Sequence, residues 1–159
     1  MDIKRDKYLN DLINRMHNGM IKVVTGIRRC GKSYLLFNIF KNYLLEQGVP
    51  ASHIIMIELD QRKNKKYRDP DVILDYIESL IEEDGQYYIM LDEVQMLQEF
   101  EEVLNSLLHI RNADVYVTGS NSKFLSKDVI TEFRGRGDEI HIYPLTFKEF
   151  MEAYGGDMY

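Results

Sequence analysis

Apolar positions along the chain repeat with two spacings, and their alternation lays out helices and strands in turn. Between Asp6 and His17, Tyr8, Leu9, Leu12, Ile13 and Met16 fall on helical spacing, and Asn18-Gly19 ends the run. A short apolar run, Ile21 to Val24, predicts a strand. After a glycine-bounded loop, Tyr34 to Leu45 crowds apolar residues around much of a helix, which Gly48 and Pro50 stop. His53 to Leu59 is a near-continuous apolar run of strand length, as expected of a parallel strand covered on both faces. Asp69 then caps a helix with Pro70 at its first position and Val72, Ile73, Tyr76, Ile77, Leu80 and Ile81 on one face. A third apolar strand, Tyr87 to Leu91, closes on Asp92 and Glu93. Gln98 to Ile110 predicts a helix with an apolar stripe of Phe100, Val103, Leu104, Leu107 and Leu108. Asp114 to Val117 is a further strand, leading into Thr118-Gly119-Ser120-Asn121-Ser122. A helix over Phe124 to Phe133, a strand over Glu139 to Tyr143 and a helix over Thr146 to Tyr154 complete the pattern.

Strands alternating with helices predict an α/β domain with a mostly parallel sheet. A chain of 159 residues suits one such domain, with no repeat or linker to divide it. Lys and Arg number 20 against 26 Asp and Glu, a formal charge of -6, which excludes a global basic field. The one local exception is Arg62-Lys63-Asn64-Lys65-Lys66-Tyr67-Arg68, which suits contact with a nucleic-acid backbone and equally suits a solvated charged loop, the plainer reading. Cys30 is the single cysteine, so no internal disulfide forms, and no apolar run approaches the length that spans a bilayer. With no signal-like N-terminal run, a cytoplasmic protein without membrane attachment is expected. His17, His53, His109 and His141 show no metal-ligand spacing.

The loop after the first strand carries the clearest chemistry. Gly26-Ile27-Arg28-Arg29-Cys30-Gly31-Lys32-Ser33 fits the phosphate-loop pattern G-x-x-x-x-G-K-[ST], in the strand-loop-helix context that pattern requires. The glycines let backbone N–H groups approach an anion, Lys32 suits the β- and γ-phosphates, and Ser33 offers its hydroxyl to Mg²⁺. The helix opening at Tyr34 adds its positive N-terminal end. Cys30, among Arg28, Arg29 and Lys32, suits either an acidified thiol or simply a small residue in a tight loop, the plainer of the two. Ligands of parallel sheets gather at the carboxyl ends of strands, so Asp92 and Glu93 are expected across the crevice, Asp92 toward the metal and Glu93 toward an attacking water. Ser120 and Asn121 fall at the same edge, where they suit a γ-phosphate sensor or a plain polar turn. Arg134 and Arg136 suit an arginine finger and a surface arginine between glycines equally well.

Taken together, Thr25 to Ser33, Leu91-Asp92-Glu93-Val94-Gln95, Val117-Thr118-Gly119-Ser120-Asn121, Gly135-Arg136 and Tyr143-Pro144-Leu145-Thr146-Phe147-Lys148-Glu149-Phe150 resemble the prokaryotic AAA-type predicted ATPases of the P-loop superfamily. The likeness covers nearly the whole chain. It implies a three-layer, additional-strand P-loop fold with strand order 5-1-4-3-2 and helices on both faces. It also implies that Asp92 and Glu93 are the metal and catalytic acids, that Ser120 or Asn121 is the sensor, and that Arg136 is the family's arginine after it, supplied in trans within a homo-oligomer. Longer members continue into a lid and a nuclease-like C-terminal domain, so residues 1–159 are expected to be a truncated ATPase domain.

The expected activity is binding of ATP and its Mg²⁺-dependent hydrolysis, with a nucleotide-dependent switch of little turnover as the alternative. GTP is disfavoured because no Asn-Lys-x-Asp motif is present, and a small-molecule kinase is disfavoured by the Asp-Glu pair.

Overall fold

Side-chain parity along the strands decides the layering. On β3 (Tyr87–Asp92), Tyr87, Ile89 and Leu91 join one apolar cluster, while Tyr88 and Met90 join another on the opposite face. A computed structural model, describing residues 3–26, 31–82, 84–119 and 137–141, shows why both faces are apolar. Helices cover each side of the sheet. The expected helices over 124–133 and 146–154 lie outside the described residues.

In chain order the elements are α1 (Ile3–Arg15), β1 (Ile21–Thr25), α2 (32–46), β2 (Ile54–Glu58), α3 (Pro70–Leu80), β3, α4 (Phe100–Leu108), β4 (Ala113–Gly119) and β5 (Gly137–His141). The five strands form one sheet in the order β2-β3-β4-β1-β5, and every neighbouring pair is parallel. This is the 5-1-4-3-2 order expected. Tyr8 and Leu12 of α1 and Leu35, Leu36, Phe40 and Leu44 of α2 pack on one face with Val24, Tyr88, Met90 and Tyr116. Ile73 and Ile77 of α3 and Phe100, Val103, Leu104 and Leu107 of α4 pack on the other with Ile55, Ile89, Val115 and Val117.

Several boundaries differ from the sequence expectation. The first helix starts at Ile3 and ends at Arg15, with His17 in a left-handed turn at φ 60°. The helix after the loop is continuous over 32–46 but widens to π geometry across Leu35–Phe40, where three large apolar side chains are buried side by side. His53 belongs to a 3-10 turn before β2, its ring stacked on Tyr87 at 4.0 Å. Asp69 caps α3 as expected, accepting hydrogen bonds from the N–H groups of Asp71 and Val72. Val72 and Tyr76, however, stay 40% and 36% exposed, since the buried line of α3 is Ile73 and Ile77, with Leu74 and Leu80 packed partly buried beside it. The last strand, Gly137–His141, begins two residues before the Glu139 start that the alternation around Ile140 and Ile142 implied; Ile142 and Tyr143 lie outside the described residues.

A buried polar brace closes the amino edge of the sheet. Lys22 on β1 pairs with Asp114 on β4, and Asp114 also accepts hydrogen bonds from the Tyr116 hydroxyl at 2.6 Å and the His17 N–H at 2.9 Å. Nothing in the apolar pattern announces this pair, since Lys22 sits within the first apolar run. Burial and the neighbouring Asp114 carboxylate push the Tyr116 phenol far above its ordinary value.

Candidate functional site

Gly26 follows β1 at φ 153°, and the chain re-enters the described residues at Gly31, which caps α2 at φ 97°. A side chain at Gly31 would be strained in that left-handed conformation, so the glycine lets α2 begin at Lys32. Ile27, Arg28, Arg29 and Cys30, expected to line the phosphate cradle, lie outside the described residues, as do Ser120, Asn121, Arg134 and Arg136. Tyr34 is 47% exposed on the first turn of α2.

Strand parity builds the rest. In β3 and β4, Leu91 stands opposite Val117, so the next residues on both strands, Asp92 and Thr118, turn together toward the α2 face. There the Ser33 hydroxyl donates to Asp92 Oδ1 at 2.7 Å, and the Thr118 hydroxyl donates to the same oxygen. The Asp92 main-chain carbonyl accepts from the Leu59 N–H at 3.1 Å, tying it to the end of β2. Burial raises the Asp92 carboxyl above the usual range; the Thr118 and Ser33 hydrogen bonds oppose that shift, and the nearby Glu93 and Asp60 carboxylates add to it.

Glu93 leaves the strand in left-handed backbone geometry, φ 54° and ψ 55°, instead of extending it as expected. Its N–H donates to Thr118 Oγ1 at 2.8 Å, which anchors this uncommon conformation. The turn aims its side chain across to α2, where Lys32 Nζ donates to Glu93 Oε2 at 3.0 Å. Lys32 and Glu93 are both buried, at 2% and 5% exposure. On the other side, Gln95 Nε2 donates to Glu93 Oε1 at 2.7 Å. The expected facing of loop and carboxylates is therefore met pairwise, Ser33 with Asp92 and Lys32 with Glu93.

Sequence reasoning missed two supporting residues. Thr118 was placed after the strand; β4 in fact runs to Gly119, and parity alone then puts Thr118 beside Asp92. Gln95 carries no signal of its own, since its position depends on the 3-10 turn Val94–Met96. The basic stretch Arg62–Arg68 is a 3-10 helix instead of a loop, pinned by Arg68 Nε donating to the Leu59 carbonyl at 2.8 Å. It follows β2, the strand at the sheet edge, with Arg62, Lys63, Lys65 and Lys66 exposed. No group of three or more metal-ligating His, Cys, Asp or Glu occurs among the described residues, and no helix there is long and apolar enough to cross a membrane.

Comparison with known proteins bears on the fold and the family. An uncharacterized protein of Haemophilus influenzae is 35% identical over 156 residues, covering 98% of this chain and 39% of that protein. The uncharacterized protein MJ1544 of Methanocaldococcus jannaschii is 29% identical, covering 94% of this chain and 32% of its own length. The chain thus spans well under half of these relatives. Among solved structures, the Hsp104:casein complex of S. cerevisiae superposes with a TM-score of 0.68 at 14% identity, over 97% of this chain and 29% of that one. A DNA polymerase III gamma subunit-related protein of Thermotoga maritima gives 0.60 at 13% identity, over 94% and 48%. At such identities the likeness concerns the fold. A family model described as an AAA domain matches residues 18–151, and the chain belongs to that family.

Proposed function

We propose that the chain binds Mg²⁺-ATP where β1 meets α2 and hydrolyses it, with Glu93 as general base. One observation carries this reading: the first turn of α2 meets the end of β3 in two matched contacts, Lys32 with Glu93 at 3.0 Å and Ser33 with Asp92 at 2.7 Å. The donor set suits the ligand. A serine hydroxyl beside a carboxylate is hard-oxygen chemistry fit for Mg²⁺, and a buried ammonium fits a phosphate oxygen. When bound, Mg²⁺ supplies positive charge against the β- and γ-phosphate oxygens. Ser33 and Asp92 would hold it, Lys32 would turn from Glu93 to the phosphates, and Glu93 would take a proton from water. The water oxygen bonds to the γ-phosphorus as the bond to the β-γ bridging oxygen breaks, leaving ADP and inorganic phosphate.

Calorimetry with ATP and Mg²⁺ tests the binding half. Wild-type protein is expected to bind, with affinity lost in Lys32→Ala; equal affinity in that variant sinks the reading. Single-turnover assays test the chemistry, since Glu93→Gln should retain ATP unhydrolysed.

A second reading, a nucleotide-dependent switch with little turnover, is favoured by one feature. Both oxygens of Glu93 are already engaged in this arrangement, Oε2 by Lys32 and Oε1 by Gln95. The switch predicts the same fate for bound ATP in wild type and Glu93→Gln.

A further inference from the structure

The Glu93 carboxylate is gripped from two sides by groups of different kinds. Lys32 on Oε2 has a second use, because its ammonium is the group suited to a phosphate. Gln95 on Oε1 has none: its bond to Glu93 is the one hydrogen bond its side-chain amide makes among the described residues. Gln95 Oε1 is buried without a hydrogen-bond partner among the described residues. Leaving a buried carbonyl unpaired costs about 1–3 kcal/mol, so the amide is held in this orientation by its charge-assisted bond to the carboxylate. Such an arrangement sacrifices one end of the amide to fix the other.

We propose that Gln95 is a positioning residue for Glu93, retaining Oε1 so that Oε2 faces the reacting water once Lys32 turns to the phosphates. The inference rests on the hydrolytic reading above. Two groups converge to make it work. Thr118 anchors the Glu93 main chain at 2.8 Å, which sets where the side chain starts. Gln95, two residues on and within the turn Val94–Met96, fixes where one oxygen ends. The remaining oxygen then has a single direction left, toward the place Lys32 occupies on the first turn of α2. Without Gln95 the carboxylate loses this hold on Oε1 once Lys32 departs, and the aim of the proton acceptor is weakened. Among the described residues, Lys32 from α2 and Asp92 beside it on β3 are charged groups near it.

Two measurements test this on the intact chain. In nucleotide-free protein, the Gln95 side-chain amide protons are expected to exchange slowly with solvent and to resonate apart from those of exposed glutamines. Glu93→Ala should abolish both properties; amide signals indifferent to Glu93→Ala overturn the proposal. For the reaction, Gln95→Met keeps side-chain length without a donor, and Gln95→Glu keeps shape while repelling Glu93. Both are expected to hold ATP affinity within about twofold of wild type while slowing single turnover roughly 10- to 100-fold, the scale of a misplaced catalytic group. Wild-type turnover in Gln95→Met, or a loss confined to affinity, overturns it. Thermal unfolding of each variant near the wild-type midpoint separates aim from misfolding. If wild-type protein itself hydrolyses no ATP, the hydrolytic reading falls, and the amide signals decide the hold on Glu93 by themselves.

Discussion

Lys32 and Glu93 form a buried ion pair, Nζ to Oε2 at 3.0 Å, so the lysine suited to the phosphates is also a partner of the proposed base. Any triphosphate entering the site competes with Glu93 for that ammonium. Glu93→Gln removes the competing charge while keeping the shape. We expect it to bind ATP about tenfold more tightly than wild type, a difference of roughly 1.4 kcal/mol by calorimetry. Unchanged or weaker binding means the pair does not oppose nucleotide entry.

Asp92 stands under a conflict of the opposite kind. Burial, the largest influence on it, disfavours its charge, and the folded-state carboxyl lies above its ordinary value. A carboxyl raised on folding contributes stability below its unfolded-state pKa and loses it as pH rises through the folded value. At neutral pH the charged form therefore weakens the fold. Asp92→Asn keeps an acceptor for Ser33 and Thr118 and removes the charge. It should raise the thermal midpoint by about 2–4 °C for each kcal/mol relieved, while ATP affinity loses its dependence on Mg²⁺. A lower midpoint together with intact Mg²⁺ dependence would contradict both roles.

Thr118 joins the two carboxylates through one hydroxyl, accepting from the Glu93 N–H and donating to Asp92. Thr118→Val keeps the shape and deletes both bonds, leaving the left-handed Glu93 without its anchor. A loss of about 1–3 kcal/mol in denaturant unfolding is expected, with slower single turnover at little-changed ATP affinity. Thr118→Ser should restore both, and failure of that rescue would point to packing instead of the hydroxyl.

At the far edge of the sheet, Tyr116 predicts alkaline behaviour. Its phenol is held far above the ordinary range by burial, then by Asp114. Below pH about 10 the tyrosine is neutral in both folded and unfolded chains and its contribution is complete. Above that, the unfolded chain loses a proton that the folded chain keeps, and stability falls by up to about 1.4 kcal/mol per pH unit. Tyr116→Phe should flatten this alkaline limb in urea unfolding followed from pH 9 to 11. Equal slopes would show that Tyr116 does not titrate differently in the two states.

Much of this architecture is written in local pattern. Continuous apolar runs at Ile54–Glu58 and Tyr87–Asp92 mark strands buried on both faces, and that requires helices on each side. The spacing of Gly26, Gly31, Lys32 and Ser33 marks an anion cradle because the turn and the helix start follow from those residues alone. Asp92 and Glu93 are legible as strand-end carboxylates for the same reason. The sequence by itself thus determined the element order, the two apolar faces and the residues able to do phosphate chemistry.

Only the tertiary structure decided how those residues are paired. Whether Ser33 meets Asp92 or Glu93 depends on the register of β3 against β4 and on the left-handed turn at Glu93, which Thr118 stabilises from 25 residues away. The hold of Gln95 on Glu93, and the burial of Lys22 against Asp114 across 92 residues, likewise depend on chain segments that meet only after folding. Hydrophobic spacing reports which face a residue takes, because that is a property of its own strand or helix. Which polar partner waits on that face is set by other elements, and the phosphate loop becomes half of a site only when β3 and β4 deliver the other half.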